Sequence, residues 1–80
     1  MNAQFRELDT VVLLHDLPDA GLRAGDLGAV VQVYERDSVE VEFVTASGQT
    51  LALETLPTRS IRAVRDDDLL AVRPAVRGAA

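Results

Sequence analysis

One six-residue stretch, Val39-Glu40-Val41-Glu42-Phe43-Val44, limits the folds open to this chain more than any other. Apolar and acidic side chains alternate with period two, the period of a strand, in which successive side chains point to opposite faces. Val39, Val41 and Phe43 therefore face a core, while Glu40 and Glu42 face water. A helix would spread the same residues around its circumference and bury neither set. A strand with one dry face needs neighbours, and the rest of the chain offers them.

Leu8 to Leu14 reads as a first strand, because Val11-Val12-Leu13-Leu14 is an unbroken apolar run of the kind buried on both faces. Pro18 argues against a helix continuing through it. Asp16 to Gly28 is rich in glycine and aspartate and reads as a long loop that bends at several points. Gly25 and Gly28 there suit positive φ or a close approach of backbone. Ala29 to Tyr34 is a second strand, dense in valine, followed by a tight turn at Glu35-Arg36-Asp37-Ser38. Thr45 to Gln49 is a hairpin connection with Gly48 in the left-handed position. A fourth strand from Thr50 to Leu56 places Leu51 and Leu53 on the core face. Pro57 ends it, Thr58-Arg59-Ser60 fits one 3₁₀ turn, and Ile61 to Val64 is a short fifth strand. Asp66-Asp67-Asp68 then fits the capped start of a short helix, or Leu70 to Arg73 a short extra strand. Ala75 to Ala80 reads as a loose tail.

The expected fold is all-β: a small five-stranded SH3-like barrel with a long loop after the first strand. A 3₁₀ turn precedes the fifth strand, and a short helix or strand ends the chain. Closure into a barrel removes the exposed edges of an open sheet. With 80 residues the chain forms a single domain, 1–80, its barrel core spanning about 7–65 and a C-terminal extension 66–80. Hydrophobic residues make up 48%, enough for a folded core, yet no cysteine is present to staple it. Self-association or a partner is a natural source of further stability.

Glu7-Leu8-Asp9-Thr10-Val11-Val12-Leu13-Leu14, Asp16-Leu17-Pro18, Gly21-Leu22, Gly25-Asp26-Leu27-Gly28 and Val41-Glu42-Phe43-Val44 carry a family likeness. In these positions the chain resembles a group of small bacterial proteins known as domain of unknown function 4926. The resemblance covers roughly Glu7 to Val64 and continues more weakly into Leu69 to Arg73. It implies an SH3-like barrel and brings no activity or catalytic residues. Gly25 to Val31 is also distantly similar to the strand-loop-strand element of KOW-type ribosomal and transcription proteins. The barrel of the nitrile hydratase β subunit has a loop of the same kind.

Charge separates these possibilities. The formal net charge is −5, with 8 arginines and no lysine against 13 acidic residues. Binding to nucleic acid rests on cationic groups that displace counterions from phosphate, so the overall field here opposes it. Around the KOW-like element, Asp19, Asp26 and Asp37 stand beside Arg23 and Arg36, a departure from the basic surface of RNA binders. No run reaches the roughly 18 apolar residues of a membrane span, and the first residues lack the layout of a signal peptide. A cytoplasmic location is expected.

Chemistry-bearing residues are few. His15 is the only imidazole, with Asp16 and Asp19 near it, and reads as a strand-end residue on the barrel rim rather than a base or metal ligand. Ser38, Ser47 and Ser60 sit in no nucleophile motif. Asp66-Asp67-Asp68 lacks the ligand spacing of a calcium loop. Arg59, Arg62 and Arg65 cannot share one face of an extended segment and are expected to pair with nearby aspartates. No catalytic, metal or cofactor site is expected.

The remaining candidates are contact residues. Leu17, Pro18, Leu22 and Leu27 are apolar side chains in the long loop, where they either cap an open end of the barrel or meet a partner. Tyr34 is grouped with that loop, and Glu40 and Glu42 form an acidic face able to steer a basic partner. The expected function is a non-catalytic protein-interaction module: an accessory subunit, or a neutralising or assembly partner, binding another protein, possibly basic, or itself. The alternatives are a KOW-like nucleic-acid-binding barrel and a barrel subunit contributing to an enzyme complex.

Overall fold

The computed structural model describes residues 5–35 and 37–75. Residues 1–4, Arg36 in the expected second turn, and 76–80 of the expected tail lie outside the described residues. Five strands form: β1 (Thr10–Leu13), β2 (Leu27–Val33), β3 (Ser38–Val44), β4 (Thr50–Pro57) and β5 (Ile61–Ala63). One 3₁₀ turn, Pro18–Ala20, lies in the long loop, and a second, Thr58–Ser60, joins β4 to β5 as expected. The strands make one antiparallel sheet in the order β4-β3-β2-β1-β5. The all-β, five-stranded, barrel-like architecture is present, but the expected closure is not. β4 and β5 are the two edges of the sheet and do not pair with each other.

β2 is the strand around which the sheet curls. Its first residues pair with β1, Val11 opposite Gly28 and Val12 opposite Leu27, and the stretch from Ala29 to Val33 pairs with β3. A register shift between Val30 and Gln32 leaves Val31 as an extra residue, and such a bulge bends and twists the strand that carries it. Gly28 makes the curl possible from the inside. A Cβ built there would lie 2.5 Å from Val41 Cγ1 and 2.9 Å from Phe43 Cε1, so only glycine lets β3 side chains pack onto the β2 backbone. Gly25, just before β2, has φ +96° and donates its amide to the Leu13 carbonyl at 2.7 Å.

The core lies on the concave face and joins Val11, Leu13, Val30, Val39, Val41, Phe43, Leu56 and Ile61 with Phe5 and Leu22. Val39, Val41 and Phe43 are buried as the alternation requires. Of the apolar run in β1, Val11, Val12 and Leu13 are buried while Leu14 is exposed. Val12 belongs to the opposite face, outside the core cluster, between Leu27 and Arg62.

In β4 the expected phase is corrected. Leu56, Glu54 and Ala52 stand opposite Val39, Val41 and Phe43 and so share the inner face. Leu53 stands opposite Glu42 and is exposed. The register shifts between Phe43 and Val44, leaving Leu51 as an extra residue that packs against the core beside Ala52. The bulge breaks the period of two that a linear reading assumes.

Beyond β5 the chain forms neither the helix nor the strand expected for residues 66–73. Asp66 and Asp67 lie in a turn and the segment to Ala75 has no regular structure. Asp68 is no helix cap: it accepts the Arg65 amide at 2.6 Å and Nη1 and Nη2 of the Arg62 guanidinium, each at 2.9 Å. Arg73 reaches back to the long loop, donating to both Asp26 carboxylate oxygens and to the Gly21 carbonyl at 3.0 Å. Residues 68–73 therefore form a strap from β5 to the start of β2, in line with β1 between them.

Candidate functional site

The long loop is organised by its own aspartates. Asp16 accepts the Ala24 amide at 2.9 Å and Asp26 accepts the Arg23 amide at 2.8 Å. Leu17 and Leu22 exchange backbone hydrogen bonds at 2.9 and 3.1 Å, closing a small turn around Pro18–Ala20. This closure directs Leu22 into the core at 2% exposure, and Leu17 and Ala20 pack against the core beside it. Leu22 thus plugs the sheet and is not presented to a partner. Pro18 is exposed on the outside of the turn and Leu27 borders on exposed.

A second constellation lies on the convex face of β2, β3 and β4. Glu40 has Gln32 on one side and Thr55 on the other, and Glu42 lies between Ala29 and Leu53. Both glutamates are half-buried instead of fully in water. Each accepts a hydroxyl: Tyr34 donates to Glu40, and Thr50 donates to Glu42. The hydrogen bond from Tyr34 to Glu40, together with partial burial and the carboxylate charge, raises the Tyr34 phenol above its ordinary value. Strand alternation puts Leu27 and Val44 on this same face, and both also border a groove of about 370 Å³ that opens beside the core residues Leu22 and Phe43 and the strap residues Val72 and Arg73.

The structure therefore divides the candidate residues. Leu27, Tyr34, Glu40 and Glu42 share the convex face, with Tyr34 joined to the acidic strand and not to the long loop. Leu17, Pro18 and Leu22 belong to the turn across the open end. Exposed Val31, Val44 and Leu53 surround the two glutamates with apolar surface. The described residues form two ion pairs, Arg62–Asp68 and Arg73–Asp26, and neither involves Glu40 or Glu42.

Sequence reasoning missed the strap. One anchor, Arg62–Asp68, is a pairing of the kind expected between these arginines and nearby aspartates, but the other, Arg73–Asp26, joins opposite charges that meet only once the sheet has formed. Burial acts to raise the Asp26 carboxyl, but hydrogen bonds from the Arg73 side chain and the Arg23 backbone outweigh it and leave the group below its usual value. Asp68 is held well below the usual carboxylate range, first by its hydrogen bonds from Arg62 and then by the Arg65 amide.

His15 lies at the end of β1 and contacts Ser60 Oγ through Nε2 at 2.8 Å and the Asp16 carbonyl through Nδ1 at 3.2 Å. Ser60 is buried, and the contact fastens the end of β1 to the turn before β5. Among the described residues no group of three or more His, Asp or Glu side chains could hold a metal ion. None of the described helices is long and apolar enough to cross a membrane.

No curated protein and no solved structure matches the chain. A family model described as domain of unknown function (DUF4926) matches residues 7–63, from the turn before β1 to the last residue of β5. The chain with this open, curled sheet and its acidic convex face is a member of the DUF4926 family.

Proposed function

We propose that the chain is a non-catalytic protein-interaction module that receives a cationic segment of another protein on the convex face of β2, β3 and β4. The observation that carries this reading is the state of Glu40 and Glu42. Each is half-buried and oriented by a neighbouring hydroxyl, and neither has a cationic partner among the described residues. An oriented carboxylate gives up little freedom on meeting an arginine or lysine, and charge-assisted hydrogen bonds are the strong ones. Val31, Val44 and Leu53 supply exposed apolar surface beside the charges, against which the aliphatic stem of an arginine or lysine can pack. An accessory subunit, an assembly factor or a neutralising partner of a basic protein all fit this chemistry.

The test is an NMR titration of the labelled protein with a synthetic peptide carrying arginine at alternate positions. Expected are shifts of Gln32, Glu40, Glu42, Leu53 and Thr55 that weaken as salt rises. In Glu40→Gln/Glu42→Gln, with the fold retained, these shifts should vanish. Shifts confined to other surfaces, or unchanged in the double variant, defeat the proposal. A single-stranded RNA oligonucleotide in place of the peptide should leave the spectrum unchanged, given the net charge of −5.

A further inference from the structure

β4 ends the sheet on one side, and its backbone shows where another strand can join. In an antiparallel sheet, residue pairs alternately exchange hydrogen bonds and do not, so each strand turns its bonding groups toward its two sides in turn. The Thr58 amide donates to the Asp37 carbonyl at 2.7 Å, which fixes the phase. Leu56, Glu54 and Ala52 therefore bond to β3, while Leu53 and Thr55 turn their N–H and C=O groups to the open side. Pro57 has the same outward phase, the position at which a sheet tolerates a residue without an N–H. With the bulge at Leu51 before it and Pro57 after it, the free edge is short.

Both faces beside this edge are acidic. On the convex face Thr55 stands opposite Glu40 and Leu53 opposite Glu42. On the inner face half-buried Glu54 borders a cleft of about 350 Å³, together with Leu17, Pro18, Asp19 and Ala20 at the 3₁₀ turn. Glu54 and Asp19 take part in neither ion pair of the described residues. A strand on this edge would thus carry alternate side chains toward carboxylates on both of its faces. A second copy of β4 would bring one acidic edge to another, whereas a cationic strand is complementary to it.

We propose that a cationic segment of the partner joins the five strands as a sixth, antiparallel to β4 along Leu53 and Thr55. This rests on the cationic partner proposed above and adds how that partner docks. Residues of the segment opposite Leu53 and Thr55 exchange backbone hydrogen bonds with them and carry their side chains on the convex face. Strands lie about 4.8 Å apart, so an arginine there can extend over β4 to meet Glu42 or Glu40. The residue between them projects to the inner face opposite Glu54. A lysine at that place can lay its stem on Leu17, Pro18 and Ala20 and point its ammonium toward Glu54 and Asp19. Backbone pairing supplies affinity in strand addition, and the alternate side-chain sites supply selectivity.

The probe is a synthetic peptide that alternates arginine with threonine and has lysine in place of the central threonine. Amide exchange at Leu53 and Thr55 should slow when it binds, because their N–H groups become bonded. Methylating the arginine amide nitrogens should weaken binding about tenfold or more. Methylating the intervening ones, whose N–H groups point away from β4, should change it little. Glu54→Gln should weaken the lysine peptide about two- to fivefold and leave the all-threonine version unaffected. Unslowed exchange at Leu53 and Thr55, or equal binding of the two methylated peptides, overturns strand addition. The convex-face reading still stands in that case if Glu40→Gln/Glu42→Gln abolishes binding. An unchanged affinity in Glu54→Gln overturns the placement of the lysine. Exchange at Leu53 and Thr55 that slows with protein concentration alone overturns the proposal too, since the edge then belongs to a second copy. A peptide that fails to bind defeats both this proposal and the convex-face reading.

Discussion

Asp26 and Arg73, 47 residues apart in the chain, meet side by side, Nε donating to Oδ1 at 2.9 Å and Nη2 to Oδ2 at 2.5 Å. The same guanidinium also donates to the Gly21 carbonyl, so one side chain ties the strap to the loop at two points. Arg73→Ala should therefore release residues 69–72 while the sheet remains folded. Backbone order parameters in that segment should fall below about 0.6, with β1 to β4 staying near 0.85. Unchanged order in the strap would show that something else holds it.

Acid should release the strap by the same route. Asp26 and Asp68 both have carboxyls below the ordinary aspartate value of 3.8. A carboxylate with a depressed folded-state value contributes its anchoring fully above the unfolded value and loses it as pH falls through the folded one. The strap should be as ordered at pH 5 as at pH 7, and should loosen only below the ordinary aspartate range. Relaxation measured across that range checks this, and loosening already near pH 6 would contradict it.

Gly28 should not tolerate a side chain. In Gly28→Ala the new methyl meets Val41 Cγ1, which is β-branched and has little freedom to move aside, and the Phe43 ring. The expected cost is about 2–3 kcal/mol, typical of overpacking in a tight core. Urea denaturation should show a lower midpoint with an unchanged slope.

Leu8 offers the reverse case. It has φ 76°, is 83% exposed, and occupies the third place of a turn closed by the Asp9 amide on the Arg6 carbonyl. A left-handed leucine costs about 1–2 kcal/mol relative to its favoured conformations. Leu8→Gly removes that strain at some cost in unfolded-chain entropy. The net gain should be about 0.5 kcal/mol, read as a small rise in Tm.

The parts of the fold legible in the sequence were those carried by local pattern. Val39 to Phe43 alternates because one face of β3 is dry, and the 3₁₀ turn at Thr58–Ser60 follows the proline that ends β4. Leu53 was misplaced because one extra residue at Leu51 reverses the phase, and nothing in the residue types marks a bulge there. Leu22 could not be told from a contact residue, since its burial depends on the exchange of hydrogen bonds between Leu17 and Leu22. Of the site, the acidic pair on β3 was legible as exposed alternation. Its association with Tyr34 was not, because that depends on how β2 ends beside β3. The strap was illegible for a similar reason: Asp26 and Arg73 become neighbours only after β1 and β5 pair.

The pairing of β1 with β5 also has a temporal consequence. β2, β3 and β4 are joined by short connections, so each can find its neighbour soon after leaving the ribosome. β1 emerges first yet waits for Ile61 to Ala63 before its second side is covered, and the closure of so long a loop is slow. Until then Val11 and Leu13 lie beside an open edge. The fifth strand of the sheet thus completes the protection of its first.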